Sequence, residues 1–189
     1  MIKEIDDLIS FLFDKRPDVR LKAEEIVEGL TGTADGIATL VGRKEKLIPQ
    51  LLHLMGRTGS EGNTATSSLV NLTALPELAT LAVEHGAVER AMDFLRQDDS
   101  QKDILIMLLA NLTSTEGGLT VLSQEGQPHE GYYITKLVQM LIGGKPSQLY
   151  DHCASILTNA TRHPIGRKVF SDPNLGLVHA VLPFLAKSA

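Results

Sequence analysis

A three-residue phrase recurs four times along the chain at nearly constant spacing. The four copies read Gly29-Leu30-Thr31, Asn71-Leu72-Thr73, Asn111-Leu112-Thr113 and Asn159-Ala160-Thr161. Their central residues lie 42, 40 and 48 positions apart. A repeat of about forty residues is typical of stacked helical units, in which each unit buries its apolar face against its neighbours. The repeat therefore predicts an all-α fold, a right-handed α-solenoid of armadillo-like (ARM/HEAT) repeats.

The composition favours a helical protein of the cytoplasm. Of the 189 residues, 43% are hydrophobic but only 4% are aromatic, and such a core suits packed helices better than a β-sandwich. A single cysteine fits a reducing compartment, and the acidic N-terminus without a long apolar run argues against a secretory signal or a membrane span. The net charge of −5 makes nucleic acid a poor partner. We expect a soluble protein that binds neither nucleic acid nor membrane.

The repeats predict a single domain made of stacked units. We predict a single solenoid over residues 1–189, with about four repeats and a terminal helix. The repeats are placed at 5–42, 45–86, 87–131 and 132–174, and the terminal helix at 175–189. Pro17 is expected to end the first helix, Asp18 to cap the second, and Pro49 to lie in a first turn. A Gly- and Pro-containing insertion, 124–131, accounts for the longest interval.

The terminal helix carries apolar residues that a following unit would normally cover. They are Val178, Val181, Leu182, Phe184 and Leu185. Three interpretations stay open: the helix caps the stack, the chain is part of a longer protein, or this surface mediates self-association. We favour a fragment or shortened form.

The asparagines of the phrase are the candidate protein-binding residues. Stacking places equivalent positions of successive inner helices along one side of a solenoid, so Asn71, Asn111 and Asn159 are expected to form a ladder of amides. Each amide offers a donor and an acceptor to a partner's backbone. The residues one turn earlier on this face are Ser67, Met107 and Ser155. The alternative is a structural bond between layers, because asparagine near a helix end often bonds backbone groups.

The sequence contains no complete catalytic or metal-binding motif. None of the six histidines has a partner at helical metal-ligand spacing. The segment 143–147 resembles a phosphate-binding loop only in part, because Gln139 replaces its first glycine and Pro146 its hydroxyl residue. The lone Cys153 lies in an apolar helical pattern, which favours a core position. We therefore predict a protein that is not an enzyme and uses no cofactor and no metal.

Four strings of the sequence together resemble a known family. They are EIVEGLTGTADG (25–36), SLVNLTAL (68–75), MLLANLT (107–113) and SILTNATRHPIGRKVFSDPN (155–174). Their order, with the insertion before the fourth, resembles a eukaryotic armadillo-repeat cochaperone family that works with the chaperonin TRiC in folding translation elongation factor 2. The resemblance covers essentially the whole chain and corresponds to about the N-terminal half of a usual member. It implies a non-enzymatic adaptor whose partners are a protein client, elongation factor 2, and TRiC.

A receptor for extended linear peptides is the alternative function, and the asparagine ladder would be its binding site. Armadillo receptors for nuclear import pair each ladder asparagine with a tryptophan one turn earlier. Here Ser67, Met107 and Ser155 hold those positions. We therefore do not expect recognition of basic nuclear-localisation peptides.

Overall fold

Short α-helices separated by tight turns follow one another along the chain. The computed structural model describes residues 2–57, 59–97, 101–143 and 149–186. These ranges contain thirteen α-helices and no β-strand, so the all-α prediction is confirmed for them. The helices are α1 (Ile2–Phe11), α2 (Pro17–Thr31), α3 (Ala34–Val41), α4 (Lys44–Leu54), α5 (Ser60–Thr73), α6 (Pro76–Glu84), α7 (Ala87–Gln97), α8 (Lys102–Leu112), α9 (Glu116–Ser123), α10 (Tyr132–Gly143), α11 (Leu149–Arg162), α12 (Pro164–Phe170) and α13 (Leu177–Ala186).

The helices pack in layers, and equivalent helices of neighbouring layers touch. The inner helices α2, α5, α8 and α11 form one row in which each contacts the next. The short helices α6, α9 and α12 form a second row, and α7 and α10 pack against the inner helices α8 and α11. Contacts that run from each layer to the next are the defining property of a solenoid.

A continuous hydrophobic core joins these layers, from Leu8 in α1 to Leu177 in α13. The inner helix α8 shows why the stack holds together, because it is buried between a layer on either side. Its buried side chains are Leu105, Ile106, Leu108, Leu109 and Leu112. Burying one such aliphatic side chain contributes about 1.5–3 kcal/mol. Contacts of α8 with α7 in its own layer and with α5 and α11 in the neighbouring layers both contribute to the stability of this fold.

Two of the predicted proline positions differ from the structure. Pro17 was expected to end the first helix, but α1 already ends at Phe11, and Pro17 is the first residue of α2, with Arg16 as the N-cap and Asp18 inside the first turn. Proline suits this position because its fixed φ is helical and no N–H is needed there. Pro49 lies inside α4, which begins at Lys44, so its placement in a first turn was wrong.

The insertion 124–131 forms a closed turn between α9 and α10. Gln124 ends α9 in the left-handed conformation, with φ of 53°. Its side-chain oxygen accepts a hydrogen bond from the Tyr133 backbone N–H at 3.1 Å. The Gly131 N–H donates to the Ser123 carbonyl at 2.9 Å, so the two ends of the insertion lie side by side. The extra residues therefore lengthen the interval without separating the neighbouring helices.

Candidate protein-binding face

One side of the inner row carries the predicted site residues. We call it the inner-helix face and define it by the first residue of each phrase and the residues four and seven positions earlier. Its members are Lys22, Glu25, Gly29, Thr64, Ser67, Asn71, Ile104, Met107, Asn111, His152, Ser155 and Asn159. All twelve are at least partly exposed, so the face is open to solvent across four stacked helices.

Two of the three asparagine amides bond to the preceding layer. The Asn71 Nδ2 donates to Thr31 Oγ1 at 3.1 Å. The Asn111 Nδ2 donates to the Val70 carbonyl at 2.9 Å and to Thr73 Oγ1 at 3.3 Å. The side-chain N–H groups of these two asparagines therefore form structural bonds between layers, as the alternative interpretation predicted. The ligand-binding role of the ladder stays a prediction.

Both asparagines bond to the third residue of the preceding phrase, a threonine for which the sequence had predicted no role. Thr31 and Thr73 are buried, and their own hydroxyls donate to backbone carbonyls of the same helix, Glu28 at 2.8 Å and Leu69 at 2.7 Å. Each hydroxyl oxygen is then oriented to accept a bond from the next layer. The sequence contained an indication of this pairing, because asparagine and threonine recur together with the same period.

Asn159 differs from the two earlier asparagines. Among the described residues its amide forms no hydrogen bond, although it is half-buried at the equivalent position of α11. Within the described ranges the ladder therefore contains two amides that bridge layers and one, that of Asn159, without a hydrogen bond.

This difference gives a test on stability. We expect Asn111→Ala to lower the free energy of unfolding by about 1–2 kcal/mol, because it leaves a buried threonine hydroxyl and a backbone carbonyl with fewer partners. Asn159→Ala is the matched control and should change it by less than about 0.5 kcal/mol. Urea titration followed by circular dichroism measures both values. Equal losses for the two variants would contradict the bridging role.

The remaining side chains of the face are mostly uncharged. Lys22 and Glu25 on α2 pair with each other at 2.8 Å. The positions on α5, α8 and α11 hold hydroxyl, amide, aliphatic, thioether and imidazole groups. Met107 is the most apolar exposed member, with 37% of its surface accessible. Such a face offers hydrogen bonds and apolar contact, as a protein-binding surface does.

Other candidate groups lie away from this face or inside the core. Cys153 is buried, and burial raises the pKa of its thiol to about 11, so it is a packed core residue. In the described ranges no three His, Cys, Asp or Glu side chains come together as a metal site would need. Residues 144–147 of the partial phosphate-loop string lie outside the described residues.

The terminal helix α13 exposes part of its apolar surface. Val178 is 43% exposed and Leu182 is 52% exposed, whereas Val181 is half-buried. The side chains of Phe184 and Leu185 lie outside those described. No helix in the described part of the chain is both long enough and apolar enough to cross a membrane.

The layered inner helices and their open face define an armadillo-like α-solenoid. A designed armadillo repeat protein, solved in complex with the peptide (KR)4, superimposes with a TM-score of 0.75 at 15% identity, over 96% of this chain and 77% of that one. The predicted fold class is thus confirmed. The chain belongs to the family described as "Domain of unknown function (DUF383)", whose model matches residues 93–189.

Two relatives extend the similarity over nearly the whole chain. "Protein HGH1 homolog" of Dictyostelium discoideum is 24% identical over 194 residues, which cover 96% of this chain and 53% of the relative. "Protein HGH1 homolog" of Xenopus tropicalis is 30% identical over 190 residues, which cover 95% of this chain and 51% of the relative. The chain thus spans about half the length of the curated relatives it matches.

Proposed function

We propose that this chain is a non-enzymatic protein-binding scaffold of the cytoplasm, a cochaperone adaptor in the folding of translation elongation factor 2 by the chaperonin TRiC. The observation that carries the proposal is the inner-helix face, an open row of side chains over four stacked helices. Extended faces of this kind are what helical solenoids use to hold macromolecules. The resemblance of the repeat strings to the cochaperone family supplies the choice of partners.

The chemistry of the face supports binding in preference to catalysis. General acid–base catalysis needs titratable groups that converge on a reacting atom. On α5, α8 and α11 the face holds hydroxyls, amides and apolar groups, with His152 as its single titratable side chain. These groups form contacts spread along a surface, which suits a large partner.

A receptor for linear peptides is the second candidate, and the bonds of the asparagines weigh against it. A peptide ladder uses both the donor and the acceptor of each amide. The NH2 group of Asn111 already donates to two acceptors of the preceding layer, and that of Asn71 donates to one. Of the three ladder asparagines, Asn159 is the one whose amide has no hydrogen bond among the described residues.

Three further proposals concern nucleic acid, membranes and self-association through the terminal helix. The acidic balance of the chain disfavours nucleic acid, and we propose no membrane partner. The exposed Val178 and Leu182 of α13 support weak self-association at that end. The molecular mass in solution, measured over a range of concentrations, tests this proposal.

The main experiment is a pulldown of purified elongation factor 2 and TRiC by the immobilised chain. We expect retention of elongation factor 2 and a loss of at least about five-fold for Ser155→Arg, which places a bulky charge on the inner-helix face. Thr80→Arg is the matched control, because both hydroxyls are exposed and donate to the carbonyl four residues earlier, at 2.8 Å for Ser155 and 3.0 Å for Thr80. If neither partner is retained by this chain or by a folded full-length relative, the adaptor function is wrong.

A further inference from the structure

A buried carboxyl group lies in the inner helix of the first layer, which consists of α1, α2 and α3. Glu24 of α2 is completely buried, and neither of its oxygens has a hydrogen-bond partner among the described residues. The equivalent residue of α5, Thr66, is also buried, but its hydroxyl donates to the Gly62 carbonyl at 2.7 Å. A neutral carboxyl group is tolerated in such a place, whereas a carboxylate without a partner is strongly unfavourable. The packing of α2 against α5 therefore requires Glu24 to keep its proton.

The charged groups near Glu24 are already engaged with one another. Arg20, one turn earlier on α2, donates from Nε to Glu61 of α5 at 2.7 Å. Its Nη1 donates to two backbone carbonyls of the turn before α2, at 2.8 Å and 3.0 Å. Arg57, between α4 and α5, lies 3.8 Å from the Glu61 carboxylate. A Glu24 carboxylate could therefore gain Arg20 as a partner only if Arg20 gave up its bonds to α5 and to that turn.

The pKa of Glu24 agrees with this geometry. Burial raises the pKa to about 8, the Glu61 carboxylate adds to the rise, and Arg20 and Arg57 oppose it. No charged group in the described residues of α1 or α3 shifts this pKa. In an opened layer Glu24 would meet water and return to the ordinary glutamate pKa of 4.5. Opening at a pH between these two values therefore releases one proton to solvent.

The first layer has fewer neighbours than the layers in the middle of the stack. In the inner row α2 has one neighbour, α5, whereas α5 contacts both α2 and α8. Two uncharged hydrogen bonds also join the first two layers, from Asn71 to Thr31 at 3.1 Å and from Gln50 to the Leu12 carbonyl at 2.7 Å. Layers of a solenoid are held by their nearest neighbours, so a layer with a single neighbour can open while the rest of the stack stays folded.

We propose that the first layer is a pH-sensitive switch, which opens locally from α4 and α5 as Glu24 releases its proton to solvent. Because one proton is released, each rise of one pH unit between 4.5 and about 8 increases the opening equilibrium by up to about ten-fold. Opening exposes part of the shared apolar core, to which α2 contributes Ala23 and Val27. The switch is a property of this chain alone, so it holds or fails independently of the proposed scaffold function.

Hydrogen–deuterium exchange followed by mass spectrometry tests the switch. Exchange is measured at pH about 6 and about 7.5, and the intrinsic effect of pH on amide exchange is removed from the rates. In the wild type we expect the amides of α2 to be at least about ten-fold less protected than those of α8, because α8 has a layer on either side. The protection of the α2 amides should fall about twenty-fold between the two pH values.

Neutral variants show whether Glu24 is the group that responds. Glu24→Gln removes the proton and keeps the shape of the side chain, so its α2 amides should be almost equally protected at the two pH values. Glu24→Met, with an apolar side chain of similar length, is a second neutral variant. Glu25→Gln is the matched control, because the exposed Glu25 is the next residue and pairs with Lys22, and it should keep the wild-type response.

Three results would overturn the switch. Equal protection of α2 and α8 in the wild type would show that opening is global and that the first layer is not separable. Protection of the wild-type α2 amides that does not change with pH would show that opening releases no proton. A wild-type response that persists in both Glu24 variants would assign the proton to another group.

Discussion

Replacing the buried Glu24 with methionine is expected to raise the free energy of unfolding at pH 8 by about 3 kcal/mol. Glu24 lies in α2 and is completely buried, and neither of its carboxyl oxygens has a hydrogen-bond partner among the described residues. Burial raises the pKa of Glu24 to about 8, and the nearby Glu61 carboxylate adds to the rise. Arg20 and Arg57 act in the opposite direction but do not cancel it.

The pH dependence follows from this raised pKa. An ordinary glutamate has a pKa of 4.5, so Glu24 takes up a proton on folding between that pH and about 8. Its contribution to stability is complete below pH 4.5 and is lost as the pH rises through 8, at about 1.4 kcal/mol per pH unit. The carboxyls with a lowered pKa (Asp6, Asp14 and Glu130) lose their contribution only on acidification, so they do not obscure this window.

Urea titrations at pH about 5.5, about 7 and about 8.5 measure the effect. The wild type should lose stability across this range, whereas Glu24→Met should lose much less. Glu25→Met is the matched control, because Glu25 is the next residue and is exposed in a surface pair with Lys22. It should keep the wild-type slope and change the free energy of unfolding by less than about 0.5 kcal/mol. A wild-type stability that stays constant over these pH values would show that Glu24 is not neutral in the fold.

The repeat phrase was sufficient to predict the stacked helices, because a unit of this length can bury its apolar face only against its neighbours. The phrase also located the inner helices α5, α8 and α11 through their asparagines. The division into repeats at 5–42, 45–86, 87–131 and 132–174, with a terminal helix at 175–189, stays a prediction. Helix starts were less predictable, as Pro49 shows, because a packed helix tolerates a proline that an isolated one would not.

The site could be predicted only in outline. The sequence indicated which side chains share the face, but the bonds from Asn71 to Thr31 and from Asn111 to Thr73 depend on how one layer is rotated on the next. The environment of Glu24 was equally hidden, since Glu61 and Arg57 approach it from other parts of the chain. The repeat did contain one indication that Glu24 is unusual. The equivalent residues of α5 and α8 are Thr66 and Ile106, both buried, so a glutamate at this position is exceptional.

Gly118→Ala is expected to lower the free energy of unfolding by about 3 kcal/mol. Gly118 is the third residue of α9, and its N–H donates to the N-cap Thr115 Oγ1 at 3.1 Å. An added Cβ would overlap the carbonyl oxygen of Leu112 at the end of α8. That oxygen has little freedom to move, because it accepts bonds from both the hydroxyl and the backbone N–H of Thr115, at 2.7 Å and 3.2 Å.

The neighbouring glycine provides the control for this effect. A Cβ on Gly117 would meet Val83 Cγ1 at 3.6 Å, which is ordinary contact, so Gly117→Ala should be neutral or stabilising by up to about 1 kcal/mol. Thermal and urea unfolding of the two single variants compare the same chemical change one residue apart. Similar stabilities for both would mean that the turn between α8 and α9 adjusts to admit a methyl group. In the second layer the equivalent third residue of the short helix is the buried Leu78, so a side chain is accommodated at that position of α6.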